Sequence, residues 1–212
     1  MSVRHAGVGD APIEETAMSA LTVDHEPDSD WETLLRLWEE TEGPEGSKVE
    51  IIEGIVTVSP APANRHNKIA WKLQRALTGA LPEDWGMYQT VGVSVPSRMG
   101  LYIPDLVVAP EAALDEPGNF IPGAAAELIV EITSPTNACQ DRISKAAGYA
   151  RAGVPLYLLV DVWAPESPTV TLFGEPKRDV YQVLQAVKFG EEIRLPEPFD
   201  VVIETAGFPG KE

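Results

Sequence analysis

The segment ELIVEITSP, at residues 127–135, carries the strongest structural signal in the chain. A strand is predicted at 127–133 with the apolar core Leu128-Ile129-Val130, since its length and its β-branched residues favour that structure. Glu131 stands inside this strand, where a plain core pattern would place an apolar residue. The segment therefore predicts a buried strand and marks Glu131 as a carboxylate that needs a partner.

The flanking sequence predicts further strands and helices. Two β-branched runs, 49–52 and 55–58, flank the two-residue turn Glu53-Gly54 and predict a hairpin. Helices are predicted at 64–81 and 141–152, and strands at 88–95, 101–109 and 156–161, with further β segments at 169–173, 180–187 and 199–204. This order predicts an α/β fold with a central mixed β-sheet flanked by helices.

Length and composition indicate one domain with an appendage. The chain has 212 residues, of which 44% are hydrophobic, as in ordinary globular proteins. Residues 1–28 carry six carboxylates and one arginine without lasting periodicity, and are predicted to be a disordered acidic tail. The domain is predicted to span residues 29–208. It opens with a helix, for which Ser29 and Glu32 have the spacing of a capping box.

Cysteine usage and charge restrict the compartment and the partners. The single cysteine, Cys139, excludes an intramolecular disulfide and favours a reducing, cytoplasmic location. No run approaches the ~20 apolar residues that a membrane span needs. The 16 Lys and Arg against 33 Asp and Glu give a net charge of −17, which disfavours a passive polyanion binder.

Three polar residues form a candidate site. Asp105 follows Pro104 at the start of an apolar strand, Glu131 lies in the next strong strand, and Lys145 lies on the helix after it. Two carboxylates at neighbouring strand ends stay ionised if they share a divalent cation, and oxygen ligands select Mg²⁺ or Mn²⁺. Such an ion activates water, and an ammonium stabilises charge on the phosphate. The three residues are sufficient for phosphodiester hydrolysis.

Each of these residues also has a simpler interpretation. Asp105 after a proline is typical of a turn or strand-entry residue. Glu131 is then a strand-end acid paired with an arginine, since buried charges are normally paired. Lys145 is then a solvated helix residue, because lysine is usually exposed.

In their order along the chain, these motifs resemble those of the putative restriction endonuclease domain family, in the PD-(D/E)xK nuclease superfamily. The resemblance covers about residues 46–205. It is carried by residues 49–54, the Ser-Pro-Ala-Pro segment at 59–62 with His66, residues 103–108 and 127–135, then Asp141, Lys145, Tyr149, and residues 152–155 and 157–161.

The resemblance implies a restriction-endonuclease-like core and assigns roles to individual residues. Asp105 and Glu131 would be metal ligands, with the backbone carbonyl of Ile132 as the third, and Lys145 would be the catalytic lysine. Glu50 matches an additional acid from the N-terminal element, and Glu53 matches an acidic turn position. The superfamily's lysine usually stands two residues after the second acid, but Thr133 occupies that position here. The lysine must therefore come from the following helix.

Two supporting residues have open interpretations. His66 lies in the first turn of a predicted helix, and either contacts phosphate or water near the metal or is simply exposed. Tyr149 lies four residues after Lys145 on the same helix face, where it either holds the ammonium or packs. Packing is favoured for Tyr149, since buried tyrosine is often a core residue with a satisfied hydroxyl.

The net charge of −17 is difficult to reconcile with the nuclease hypothesis unless cations are concentrated near the site. Cations on the two helices form either a basic rim or ordinary surface charge; they are Arg65, Lys68, Lys72 and Arg75, then Arg142, Lys145 and Arg151. The tryptophans, including Trp71, are interpreted as packing residues rather than base-stacking platforms.

Two hypotheses result. One is an endonuclease that uses Mg²⁺, or alternatively Mn²⁺, to cleave DNA. The other is a catalytically silent nuclease fold that serves as an interaction or scaffolding module. A homodimer is compatible with both.

Overall fold

The computed structural model describes residues 21–23 and 30–211, with side chains from residue 30 onward. Its α-helices are α1 (Trp31–Glu40), α2 (Asn64–Leu77), α3 (Ala138–Gln140) and α4 (Ala146–Ala152), and a π-helical segment, Asp141–Lys145, joins the last two. Short 3₁₀ helices lie at Pro96–Arg98, Glu111–Leu114 and Gly123–Ala125.

Fourteen strands are present in these described residues. They are β1 (Leu21–Val23), β2 (Lys48–Ile52), β3 (Ile55–Ser59), β4 (Trp85–Tyr88), β5 (Gly92–Val95), β6 (Gly100–Tyr102), β7 (Leu106–Pro110), β8 (Phe120–Pro122), β9 (Leu128–Ile132), β10 (Leu156–Asp161), β11 (Thr169–Lys177), β12 (Val180–Lys188), β13 (Glu192–Leu195) and β14 (Val201–Glu204). The predicted hairpin and the predicted buried strand are confirmed as β2–β3 and β9.

The strands form two six-stranded sheets and one two-stranded ribbon. The first sheet has the order β1-β3-β2-β6-β5-β8 and the second β12-β11-β10-β9-β7-β4, while β13 pairs with β14. The second sheet is mixed, because β9 runs parallel to β10 and antiparallel to β7. The predicted α/β class with a mixed sheet flanked by helices is confirmed, although the strands are divided between two sheets.

The strand predicted at 101–109 is instead two strands in different sheets. β6 belongs to the first sheet and β7 to the second, so the chain changes sheets between Tyr102 and Leu106. Pro104 lies at this crossing and has no N–H to donate to a ladder. The predicted strand 88–95 is likewise divided into β4 and β5. Asp105 therefore occupies the junction between the two sheets.

Alternation along β7, β9 and β10 builds a core on each face of the second sheet. Leu106, Leu128, Val130 and Leu158 pack in one cluster with Ile69, Leu73 and Leu77 of α2. Val107, Ile129, Tyr157 and Leu159 pack in a second cluster with Tyr149 of α4. Since successive strand residues point to opposite faces, Glu131 lies on the same face as Ile129, towards α4.

The helix ends differ in detail from the sequence prediction. α1 is capped by Asp30, whose carboxylate accepts a hydrogen bond from the Thr33 N–H at 2.8 Å, and not by the predicted Ser29, which lies outside the described residues. α2 ends at Leu77 rather than near residue 81. The helix predicted from Asp141 begins three residues earlier, at Ala138. Within the described part of the chain, none of the helices is long and apolar enough to cross a membrane.

The predicted acidic tail falls mostly outside the described residues. Residues 1–20 and 24–28 are in that category. The three tail residues that are described form β1, which runs antiparallel to β3 with Leu21 opposite Val58.

Candidate active site

A pocket of about 550 Å³ lies where the chain crosses between the two sheets. Its walls come from β2, the segment after β3, the start of α2, the Asp105 crossing and the loop after β9. They include Lys48, Glu50, His66, Asp105, Ile132 and Lys145, together with residues 59–63 and 133–137. Most of the residues predicted for the site therefore border one cavity.

Asp105 is fixed at the rim of this pocket by backbone and side-chain contacts. Its N–H donates to the Val130 carbonyl at 3.1 Å, and its Oδ2 accepts from the Ile132 N–H at 2.7 Å. Its Oδ1 lies 2.5 Å from Lys48 Nζ, and Oδ2 lies 2.8 Å from His66 Nε2. Burial raises the pKa of Asp105, but the cationic Lys48 and the hydrogen bond from His66 outweigh it, so the pKa lies below its usual range. Asp105 is therefore ionised.

Glu131 lies behind the pocket rather than in its wall, on the face of the sheet that packs against α4. Its Oε1 accepts a hydrogen bond from Tyr149 Oη at 2.6 Å and lies 3.2 Å from Lys145 Nζ. The carboxylate is 1% exposed. Burial raises the pKa of Glu131 to about 7, although Lys145 opposes the shift. This carboxyl group therefore changes its protonation state near neutral pH.

Lys145 is enclosed by three carboxylates. Its Nζ lies 2.8 Å from Glu50 Oε1, 3.2 Å from Glu131 Oε1 and 3.4 Å from Asp141 Oδ1. Burial lowers the pKa of Lys145, but the three carboxylates more than reverse this, so the pKa lies well above its usual value. Lys145 is a buried, permanently charged ammonium. Its interpretation as a solvated helix residue is wrong.

Glu50 and Asp141 complete the buried charge cluster. Glu50 Oε1 also accepts the N–H of Ile103 at 2.7 Å, which fastens β2 to the crossing segment. Among the described residues, neither carboxylate oxygen of Asp141 has a hydrogen-bond partner. Burial raises the pKa of Asp141 well above its usual value. The cluster thus holds an acid whose hydrogen-bonding capacity is unused.

The cluster carries more acid than base. Four buried carboxylates (Glu50, Asp105, Glu131 and Asp141) face two ammonium groups (Lys48 and Lys145), so full ionisation leaves 4 − 2 = 2 negative charges in excess. Such an excess in a buried site favours uptake of protons or of a cation. The cluster offers only oxygen donors, including the Asp141 carboxylate that accepts no hydrogen bond, and such donors are chemically suited to a hard divalent cation.

The positions of these side chains are less favourable for a cation than their atom types are. Within residues 30–211, no three His, Cys, Asp or Glu side chains are grouped in a way that could hold a metal ion. Lys48 and His66 already contact the two oxygens of Asp105. A cation at Asp105 would therefore have to replace at least the Lys48 ammonium.

The supporting residues fall into two groups. His66 belongs to the site, because its Nε2 reaches Asp105 and its side chain is only 15% exposed; the interpretation of His66 as exposed is wrong. Tyr149 packs, as favoured: it is buried and makes an edge contact with Tyr102, and its hydroxyl donates to Glu131 and not to Lys145, which has no lone pair to accept it. Glu53 is not brought to the pocket. It pairs with Arg98 at 2.5 Å and accepts from Ser144 Oγ at 3.3 Å on the surface.

Two members of the cluster were not predicted as site residues. Lys48 lies two residues before Glu50 on β2, and strand alternation places both on one face. Asp141 lies four residues before Lys145, a spacing that places both on one helix face. These two spacings are the sequence features from which Lys48 and Asp141 could have been predicted as site residues. The π-helical segment that holds Asp141 and Lys145 has no comparable sequence signature.

Of the two helices predicted to form either a basic rim or ordinary surface charge, the second has its cations paired or buried. Arg142 Nε and Nη2 donate to Asp161 at 2.7 and 2.8 Å, Lys145 is buried, and Arg151 pairs with Asp179. The cations of the second helix are therefore balanced by acids of this chain. On α2, Trp71 is 50% exposed, so its interpretation as a packing residue is wrong.

Comparison with known proteins identifies the family. Residues 31–206 match the model of the Uma2 family, described as putative restriction endonucleases. The chain belongs to the Uma2 family. Comparison with curated proteins gives no match.

Among solved structures, the chain resembles a putative nuclease belonging to DUF820 from Anabaena variabilis ATCC 29413. The TM-score is 0.61 and the identity 16%, over 81% of this chain and 91% of that one. The resemblance of this Uma2 chain to that structure lies in the fold.

Proposed function

We propose that this Uma2 chain is a metal-dependent endonuclease that hydrolyses DNA phosphodiester bonds in the Asp105 pocket. The observation that carries the proposal is the buried cluster itself. Asp105, Ile132, Lys145 and Glu50 border one pocket, and the cluster around them holds two more carboxylates than ammonium groups. A structural core has no need for this excess of carboxyl groups, and a phosphate-cleaving site with a divalent cation has a use for it.

The residues proposed to hold the cation are Asp105, Glu131 and the backbone carbonyl of Ile132. Glu131 lies behind the pocket wall and would have to turn away from Lys145 and Tyr149 to reach an ion at Asp105. Mg²⁺ fits this oxygen set, and Mn²⁺ is the alternative. Once bound, such an ion polarises a phosphoryl oxygen and lowers the pKa of a coordinated water. The catalytic domain is proposed to span residues 29–208.

The cationic side chains of the pocket have separate tasks in this proposal. Lys145 keeps its proton, because three carboxylates raise its pKa, so it acts as a fixed positive charge and not as a base. It stabilises the negative charge that develops on the phosphate. Lys48 and His66, both on Asp105, supply further donors at the same rim. These groups attract a phosphate to the pocket.

A second candidate function is a catalytically silent interaction or scaffolding module. Its support is that Lys48, His66 and the Ile132 N–H already engage both oxygens of Asp105. A site of this kind is stable without a cation.

A cleavage assay separates the two candidates. Supercoiled plasmid and labelled oligonucleotides are incubated with the native chain, Asp105→Asn and Glu53→Gln, in Mg²⁺ or Mn²⁺ and in EDTA. We expect native and Glu53→Gln to cleave only with the metal, and Asp105→Asn to be at least about 10²-fold slower. Absence of cleavage by the native chain under every condition would favour the silent module.

A further inference from the structure

The exposed face of α2 has a composition unlike that of the rest of the molecule. The helix carries Arg65, Lys68, Lys72 and Arg75, a quarter of the 16 Lys and Arg of the chain, and has no Asp or Glu. Its most exposed positions lie at helical spacing on one side: Asn64, Asn67, Lys68, Trp71 and Arg75. We call this set the α2 face. Its amide, cationic and indole groups are those that bind nucleic acids.

Helix stability explains only part of the charge on α2, because the helix dipole favours a cation at Arg75 in the last turn but not at Arg65 or Lys68 near the start. The first turn of α2 contains no acid, although acids are the favoured residues at that end of a helix. The side opposite the α2 face, with Ile69, Leu73 and Leu77, already supplies the packing against the second sheet. The cations of the α2 face therefore point to an external anionic partner.

Trp71 is the centre of the α2 face. It is 50% exposed, while Arg75 lies 4.9 Å and Lys72 5.9 Å from its ring. The two cations lie over the ring and cover part of it, and the half of the indole that stays exposed is suited to stacking against a nucleobase. Stacking of this kind needs a base whose face is free, as in a single strand.

The start of the helix that carries the α2 face borders the pocket. Residue Ala63 and the first-turn residues Arg65 and His66 line the cavity at the start of α2, whereas Arg75 lies in the last turn. At 1.5 Å per residue, the helix from Arg65 to Arg75 spans about 15 Å, enough for two to three nucleotides. A strand lying along the α2 face would reach the Asp105 pocket past Arg65, at the start of the helix.

We propose that the α2 face binds single-stranded nucleic acid, with a base stacked on Trp71 and backbone phosphates held by Lys68 and Arg75. This narrows the substrate class of the proposed function, on which it rests, to an unpaired strand or an unpaired segment. Charge complementarity supports the assignment, because this face is basic in a chain whose net charge is −17.

Binding is measured by fluorescence anisotropy with a labelled 12-nucleotide single strand and with its duplex, in EDTA so that no cleavage occurs. We expect the native chain to prefer the single strand. Trp71→Ala should weaken binding of the single strand about tenfold, and Trp71→Phe should retain most of the native affinity. Arg75→Ala should reduce the slope of log K against log salt by about 0.7.

Matched controls lie away from α2. Val183→Ala removes another exposed apolar side chain, and Arg178→Ala removes a cation elsewhere on the surface, so both should bind as the native chain does. Equal binding by native and Trp71→Ala, or a native preference for the duplex, would overturn the inference. Binding lost in Trp71→Ala but without cleavage of any substrate in Mg²⁺ or Mn²⁺ would uphold it and refute the nuclease proposal alone.

Discussion

Asp105 both links the two sheets and lies in the candidate active site. The chain leaves the first sheet at Tyr102 and enters the second at Leu106, and the Asp105 carboxylate receives the Ile132 N–H across that junction. Lys48 completes the arrangement from the first sheet. The ion pair therefore links the two sheets and occupies the position that the proposed cation needs.

This competition makes Lys48 a residue that can be tested directly. Removing its charge in Lys48→Met leaves Asp105 with His66 and the Ile132 N–H, so a divalent cation no longer has to displace an ammonium. We expect the affinity for Mn²⁺ in calorimetry to rise about tenfold, which corresponds to about 1.4 kcal/mol. Lys177→Met, on the exposed part of β11, is the control and should leave the affinity unchanged. Weaker binding by Lys48→Met would show that Lys48 supports the site rather than competes in it.

The pKa of Glu131 gives a second test at this scale. The pKa is raised from 4.5 to about 7 in the folded chain, mainly by burial, so the folded state binds more protons than the unfolded state between these values. Ionising Glu131 therefore destabilises the native chain as pH rises through this window. Glu131→Gln lacks that cost and keeps an oxygen for the Tyr149 hydroxyl.

We therefore expect the melting temperature of Glu131→Gln, relative to that of the native chain, to increase from pH 5 to pH 7.5 in EDTA. Circular dichroism melts at each pH provide the measurement. A difference between the two proteins that stays constant with pH would show that Glu131 does not titrate in this window.

At the scale of elements, hydrophobic periodicity and turn residues predicted most of the helices and strands. The β2–β3 hairpin follows from two β-branched runs around Glu53-Gly54, and the α2 helix follows from Ile69, Leu73 and Leu77. The division of 101–109 between two sheets could not be predicted, because each half has ordinary strand composition and the choice of sheet depends on distant partners. The π-helical segment could not be predicted either, because it has no comparable sequence signature.

The packing of α4 depends on a glycine. A Cβ on Gly148 would overlap the ring of Tyr102, which is completely buried and cannot move aside. Gly148→Ala gains helix propensity but should still lower the free energy of unfolding by about 1–2 kcal/mol, because overpacking outweighs that gain. Urea denaturation measures the change. Gly79→Ala, where a Cβ meets nothing within 4 Å, is the matched control. Equal losses in both variants would remove the packing explanation.

At the scale of the whole molecule, a net charge of −17 coexists with one basic element. The sequence predicted two basic helices, but the cations of the second are taken up by Asp161, Asp179 and the buried cluster. Such pairings join residues far apart in sequence, and neither periodicity nor composition reports them. The membership of Asp105, Glu131 and Lys145 in one cluster was predictable from their order and elements, whereas the lysine that faces Asp105 was not.

The central claim is that the Asp105 cluster is a cation site, and titration of the native chain with Mn²⁺ in a calorimeter tests it most directly. We expect a saturable isotherm for native protein and for Glu53→Gln, whose carboxylate lies outside the pocket, and at least a tenfold loss of affinity in Asp105→Asn. Identical isotherms for all three proteins, or no binding by the native chain, would contradict the claim.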